Sequence, residues 1–327
     1  MSVVKSKVGE RAGILLLIVC ILLLPQAAPN QYIVRILNMI GIYMLLGTGV
    51  NILTGYTGQL SLGQAAFYGI GAYTTALLNV ILGVPFYISF LCSILITGCF
   101  GFLLSIPALK VRGSYLALLT IGFGEIVRMV FVNWVSLTRG PSGVTGISAP
   151  SLMGYQIGSL KQYYYFILLF VLLGLLYQKI LVSSRPGRAF VAIREDERAA
   201  ELTGINVVRY KITAFVTGAV YSAVAGCLYA HMVRYVSPDS FTSNDSNIIL
   251  WIIIIGGMGT QLGPVAGAII MIILPEALRG LGNMRMVVYG MMLLLVIIFT
   301  PEGIGSYLAR GQKRLKRIFG RQMVKEE

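Results

Sequence analysis

The chain has 327 residues, 57% of them hydrophobic and 12% charged, where a soluble domain carries roughly 25% charge; a water-soluble globular fold is excluded. The formal net charge is +14. The basic residues nevertheless stand between apolar runs and at the termini rather than on one soluble face, which argues against nucleic acid and for a multi-span membrane protein with its positive loops inside.

In chain order, Lys5, Lys7 and Arg11 precede an apolar stretch closed by Ala27 and Ala28. A cleaved signal peptide has a similar pattern, but about nine further spans follow, so an uncleaved first helix is the expectation. A span needs about 20 apolar residues. The apolar runs predict spans at 12–28, 32–53, 65–82, 86–106, 114–134, 163–182, 210–232 and 284–300. The stretch 244–280, with Gly256-Gly257-Met258-Gly259 in its middle, is too long for one span and slightly short for two. Charge arbitrates. With ten spans and an inner N-terminus, most basic residues fall inside: Lys5, Lys7, Arg11, Lys110, Arg112, Lys179, six from Arg185 to Lys211 and seven from Arg310 to Lys325. A single span over 244–280 would put the basic tail outside, against the rule. The prediction is an all-α polytopic membrane protein of about ten transmembrane helices, some broken or short, with both termini cytoplasmic. Cys20, Cys92, Cys99 and Cys227 lie in apolar runs and read as small buried hydrophobes. They form no CxxC, and His231 is the one histidine, so neither a metal centre nor a disulfide framework is expected, and no cofactor.

Four segments carry functional signals. Thr54-Gly55-Tyr56-Thr57-Gly58-Gln59-Leu60-Ser61-Leu62-Gly63-Gln64 breaks an apolar run with polar residues and glycine. Interrupted helices point to a transport path, with Gln59, Ser61 and Gln64 as lining groups; glycines that only let helices pack closely are the competing reading. Glu125 and Arg128, three apart, share a helix face and can pair. Charges within a span often mark a pathway, and a self-neutralising pair is also common as structure. Asn133, Tyr73 and His231 read as helix-end or interface residues. An outer loop at 135–162 is rich in turn residues.

An inner loop reads Ser184-Arg185-Pro186-Gly187-Arg188, then a helix from Ala189 to Thr203, then Gly204-Ile205-Asn206. Pro186-Gly187 marks a turn, Gly204 suits the helix C-cap, and Asn206 can cap the next membrane helix. Phe190, Ile193 and Leu202 form an apolar ridge beside Arg194, Glu195, Asp196, Glu197, Arg198 and Glu201. Dense charge of both signs suits docking into a partner's groove better than lying on lipid. Gly256-Gly257-Met258-Gly259-Thr260-Gln261-Leu262-Gly263-Pro264 is either a tight cytoplasmic turn or a gate, with Pro264 in the first turn of a new helix. The tail from 302 reads as a topology anchor in contact with anionic membrane lipid.

These segments together resemble branched-chain amino acid ABC permeases. The resemblance rests on Asn51-Ile52-Leu53-Thr54-Gly55 through Gln64-Ala65-Ala66-Phe67, on Tyr115-Leu116-Ala117-Leu118 running to Gly124-Glu125-Ile126-Val127-Arg128, on Arg185-Pro186-Gly187-Arg188-Ala189 through Gly204-Ile205, and on Gly256 to Pro264. The outer Gly140-Pro141-Ser142-Gly143-Val144-Thr145-Gly146-Ile147 resembles the M-type rather than the H-type subunit. The resemblance implies a division into 1–31 (N-terminal segment and first helix), 32–301 (importer permease domain) and 302–327 (basic cytoplasmic tail). It implies a sister H-type permease, two cytoplasmic ATPase subunits and a periplasmic substrate-binding protein as partners, in the bacterial inner membrane. It also implies an ATPase-coupling segment with Arg185, Arg188, Arg194, Glu195, Asp196, Glu197, Ala200 and Gly204. The importer coupling motif reads Glu-Ala-Ala, three residues, then Gly; here Arg198 takes the Glu position before Ala199, Ala200 and Gly204, and Glu197 and Glu201 flank it. The chain has no Gly-Lys pair and so no phosphate-loop lysine, which fits a non-catalytic subunit that borrows ATP hydrolysis. Urea and short-amide importers share this scaffold. An ion-coupled secondary transporter would need an ion site at the midplane, for which one internal charge pair offers little.

Overall fold

The computed structural model describes residues 19–152, 155–300 and 303–305. Lys5, Lys7, Arg11 and the basic residues from Arg310 to Lys325 lie outside the described residues, as does most of the predicted tail. A helical stretch at 19–27 docks on a later helix through Tyr164 and Tyr165, whose hydroxyls donate to Ile21 O and Leu22 O at 3.0 and 2.9 Å. There follow α1 (Gln31–Val50), running on as π-helix Asn51–Tyr56; α2 (Gln64–Leu82); α3 (Phe86–Ala108); α4 (Ser114–Asn133); α5 (Leu160–Ser183); the short α6 (Arg185–Glu195) and α7 (Glu197–Leu202); α8 (Val207–Val233); α9 (Ser243–Gly256); α10 (Gly263–Ala277); and α11 (Arg285–Phe299). Two pairs of two-residue strands stitch the loops after α4 and α8, Val144↔Val236 and Ser151↔Gln156 among their partners.

The protein is an all-α polytopic membrane protein in which seven described helices are long and apolar enough to cross a membrane. Those seven coincide with seven of the ten predicted spans. The run at 12–28 is described only from residue 19, and α9 and α11 have 14 and 15 residues. At 1.5 Å per residue such a helix is about 21 Å long, short of a hydrocarbon core of about 30 Å. The stretch 244–280 thus divides into two antiparallel helices joined by a turn, and Pro264 falls in the first turn of α10.

α8 is the axis and packs on α1, α2 and α3. Its small residues, among them Gly218, Ala219, Ala223 and Gly226, let the neighbours come close. Ser222 on α8 donates to Gln64 Oε1 on α2 at 2.8 Å, and Tyr221 donates to Gly174 O on α5 at 2.6 Å. Such hydrogen bonds supply adhesion that lipid-facing apolar surface cannot. Outward faces are apolar: Leu91, Leu95 and Phe102 on α3 and Leu169, Leu172 and Leu176 on α5 are exposed. This corrects the reading of the cysteines. Cys227 is buried, but Cys20 and Cys99 lie on the outward surface and Cys92 is half-buried. A cysteine in an apolar run can face lipid as readily as a core.

The bundle has two distinct ends. One gathers the end of α1, the turn after α3, helices α6 and α7, the turn between α9 and α10, and Gly303 packed on Gly257. The other carries the long loop after α4. There His231 Nδ1 lies 2.8 Å from Ser148 O, and Asn79 Oδ1 accepts from the Ser148 backbone and side chain at 2.8 and 2.9 Å.

Candidate functional site

Three segments distant in sequence converge at the first end. Asn51, fully buried in α1, clasps the turn between α9 and α10: its Nδ2 donates to Thr260 O and its Oδ1 accepts from Gly259 N, both at 2.8 Å. Arg194 of α6 turns back and donates from Nη1 to Gly55 O. Glycine is required here by close approach. A Cβ on Gly55 would lie 2.1 Å from Asn51 Oδ1 and 2.6 Å from Gly259 N, and Gly259 has a φ of 73°. α1 adopts its π-helical turn at this point, a geometry frequent at functional sites. Helix α6, the broken end of α1 and the glycine turn are therefore one hydrogen-bonded unit.

The segment 184–206 differs in detail from expectation. Pro186 and Gly187 lie in the first turn of α6 rather than in a separate turn, because Pro is pre-organised for that position. The predicted single helix is interrupted at Asp196, whose extended backbone lets its carboxylate accept from Arg198 N and Ala199 N at 2.9 and 3.1 Å. A cap of this kind starts a new helix. Gly204 (φ 83°) follows the end of α7 and Asn206 caps α8 by accepting from Arg209 N at 3.0 Å, both as predicted. The apolar ridge is divided. Phe190 and Ile193 are buried in this chain, Phe190 edge-on to Tyr210 and Ile193 against Ala200 and Val207; Leu202 remains exposed. Arg185, Arg188 and Glu195 are exposed and Ala200 is buried. Glu197 bonds Lys211 at 2.8 Å and Arg112 at 3.3 Å, which binds α7 to α8 and to the turn after α3.

Gln59, Ser61 and Gln64 are all buried. Gln59 donates to Thr57 Oγ1 at 3.1 Å, Ser61 Oγ accepts from Gly63 N at 3.4 Å, and Gln64 accepts from Ser222. Gln64 Nε2 finds no partner among the described residues. Glu125 and Arg128 are half-exposed and pair at 3.8 Å. They also reach groups that sequence reasoning missed: Ser243 Oγ donates to Glu125 Oε1, and Arg128 Nη2 lies 3.3 Å from Asp239 Oδ1. Asn51 was missed as well, although a lone amide in an apolar run is itself a signal of buried hydrogen bonding.

Interrupted helices clasped to a short charged helix have the form of a membrane transport scaffold. The family model for the permease component of the branched-chain amino acid transport system matches residues 32–297. The chain belongs to that family of ABC importer permeases, as a non-catalytic, multi-pass inner-membrane subunit of the M type. It is 36% identical to the high-affinity branched-chain amino acid transport system permease protein LivM of Escherichia coli, over 92% of this chain and 77% of the relative. It is also 36% identical to the LivM protein of Salmonella typhimurium, over 86% and 72%. The LivH permease of Salmonella typhimurium is 28% identical over 80% of this chain and 90% of its own. No solved structure matches the chain significantly.

Proposed function

We propose that the chain forms, with a sister H-type permease, the pathway by which leucine, isoleucine and valine enter the cell. Two cytoplasmic ATPase subunits drive it and a periplasmic binding protein supplies it. The observation that carries this reading is the clasp of Arg194, Gly55, Asn51 and Gly259, which joins a partner-facing loop to two broken membrane segments. ATP-driven movement of α6 then pulls the inner ends of α1, α9 and α10 together, and alternating access needs only that the two states differ in contact energy. Arg188, Glu195 and Leu202 are the outward groups offered to the ATPase, with Arg185, Asp196, Glu197, Ala200 and Gly204 shaping the segment that carries them. Uptake of labelled leucine and labelled urea by the complete importer in proteoliposomes tests the substrate. Leucine is expected to accumulate with ATP; accumulation of urea in its place would sink the assignment.

The same reading takes ten spans, both termini inside and the basic tail against anionic lipid. A cysteine at Gln322 is then labelled by an impermeant thiol reagent only in inside-out vesicles. Labelling in right-side-out vesicles would reverse the topology.

A further inference from the structure

α4 presents an outward face unlike those of α3 and α5. Tyr115, Leu118, Gly122, Ile126 and Met129 are exposed along it at spacings of three and four, and a Cβ added at Gly122 would meet nothing within 4 Å. Among these apolar groups stands Glu125, its side chain 44% exposed. It lies within about 2 Å of the middle of the helix along its axis. Lipid cannot face such a group: intramembrane carboxylates turn to protein or to a water-filled cavity. The outward faces of α3 and α5 carry no charge between residues 86 and 108 or 162 and 178. A second observation agrees. The loop between α8 and α9, with its 3₁₀ turn Pro238–Ser240, and the start of α9 reach Glu125 and Arg128, so a connecting loop rather than a spanning helix lies beside the middle of α4. Backbone of that kind persists only where protein or a water-filled cavity satisfies it. The cluster holds two carboxylates, Glu125 and Asp239, around one guanidinium, whose Nε has no partner among the described residues. Asp245 is committed to its own Thr242 cap.

We propose that this face of α4 lines the water-filled path and that the Glu125–Arg128–Asp239 cluster receives the charged ends of an α-amino acid, the carboxylates taking its ammonium and Arg128 its carboxylate. The surplus of one negative charge favours the ammonium as the leading contact. The inference rests on the transport reading above and takes the path along the surface of α4, at the expected Glu125 and Arg128, rather than past the buried Gln59, Ser61 and Gln64.

The test uses the complete importer in proteoliposomes, with the four native cysteines replaced by serine. A charged thiol reagent should modify Gly122→Cys about tenfold faster than the lipid-facing Leu169→Cys, because only a hydrated thiolate attacks it. Saturating leucine should slow the first reaction and not the second, and Glu125→Gln should weaken that protection several-fold. A Gly122→Cys as inert as Leu169→Cys would overturn the proposal, since the face would then pack against the sister subunit. So would labelling indifferent to leucine in an importer that still accumulates leucine. Leucine uptake by the cysteine-free parent, measured alongside, separates failure of this site from failure of the substrate assignment.

Discussion

Replacing Arg194 with glutamate abolishes uptake while the chain still inserts and assembles. The guanidinium donates to Gly55 O and packs on Gly58 and Gly259, so it is the link between α6 and the membrane segments. A charged-group hydrogen bond contributes roughly 1.5–3 kcal/mol, and reversal adds repulsion between the new carboxylate and the carbonyl it faces. Each 1.4 kcal/mol is tenfold, so coupling should fall by roughly 10- to 100-fold or more. Because α6 remains anchored by Phe190 and Ile193, the loop itself stays folded. The measurement is ATP hydrolysis and leucine uptake in the same proteoliposomes, with hydrolysis persisting and uptake lost. Unchanged uptake would show that force reaches the membrane by another route.

Gly226→Leu prevents a stable bundle from forming. A Cβ at Gly226 would lie 2.3 Å from Tyr68 O and 2.8 Å from Ala72 N, both backbone of α2, while Gly71 faces the Ala223 backbone in return. Side chains can rotate away from a clash; two helix backbones must separate. Moving from 2.3 Å to ordinary contact needs about 1 Å of separation, along the crossing where Ser222 holds Gln64. Overpacking a core costs about 1–3 kcal/mol where side chains can adjust, and here they cannot. The detergent-solubilised variant should elute as aggregate in size-exclusion chromatography. Gly290→Leu on α11, where a Cβ meets nothing within 4 Å, should elute as the parent does. A monodisperse Gly226→Leu of unchanged melting temperature would show that the two helices are not held at this distance.

The spans were legible because hydropathy and flanking charge act locally. The same is true of Gly204, Asn206 and Pro264, whose roles depend on the backbone of one or two turns. Asp196 shows where local reasoning stops. In the sequence it stands as one of several charges on a helix, but its carboxylate accepts from backbone N–H groups and starts a new helix. Phe190 and Ile193 show a second stop. An apolar ridge announces that something will cover it and does not say whether the cover is a partner or, as here, residues of the same chain. The Glu125–Arg128 pair was visible from its spacing, whereas Asp239 and Ser243, more than a hundred residues away, were not.

By itself the sequence determined that this protein lives in lipid, where its apolar segments begin and end, and which segments are interrupted. Those are properties of residues beside one another, and water and lipid sort them without reference to the rest of the chain. Tertiary structure alone decided what the interruptions touch. Arg194 meets Gly55 across 139 residues and Asn51 meets Thr260 across 209, contacts set by how closely glycine-bearing helices can cross.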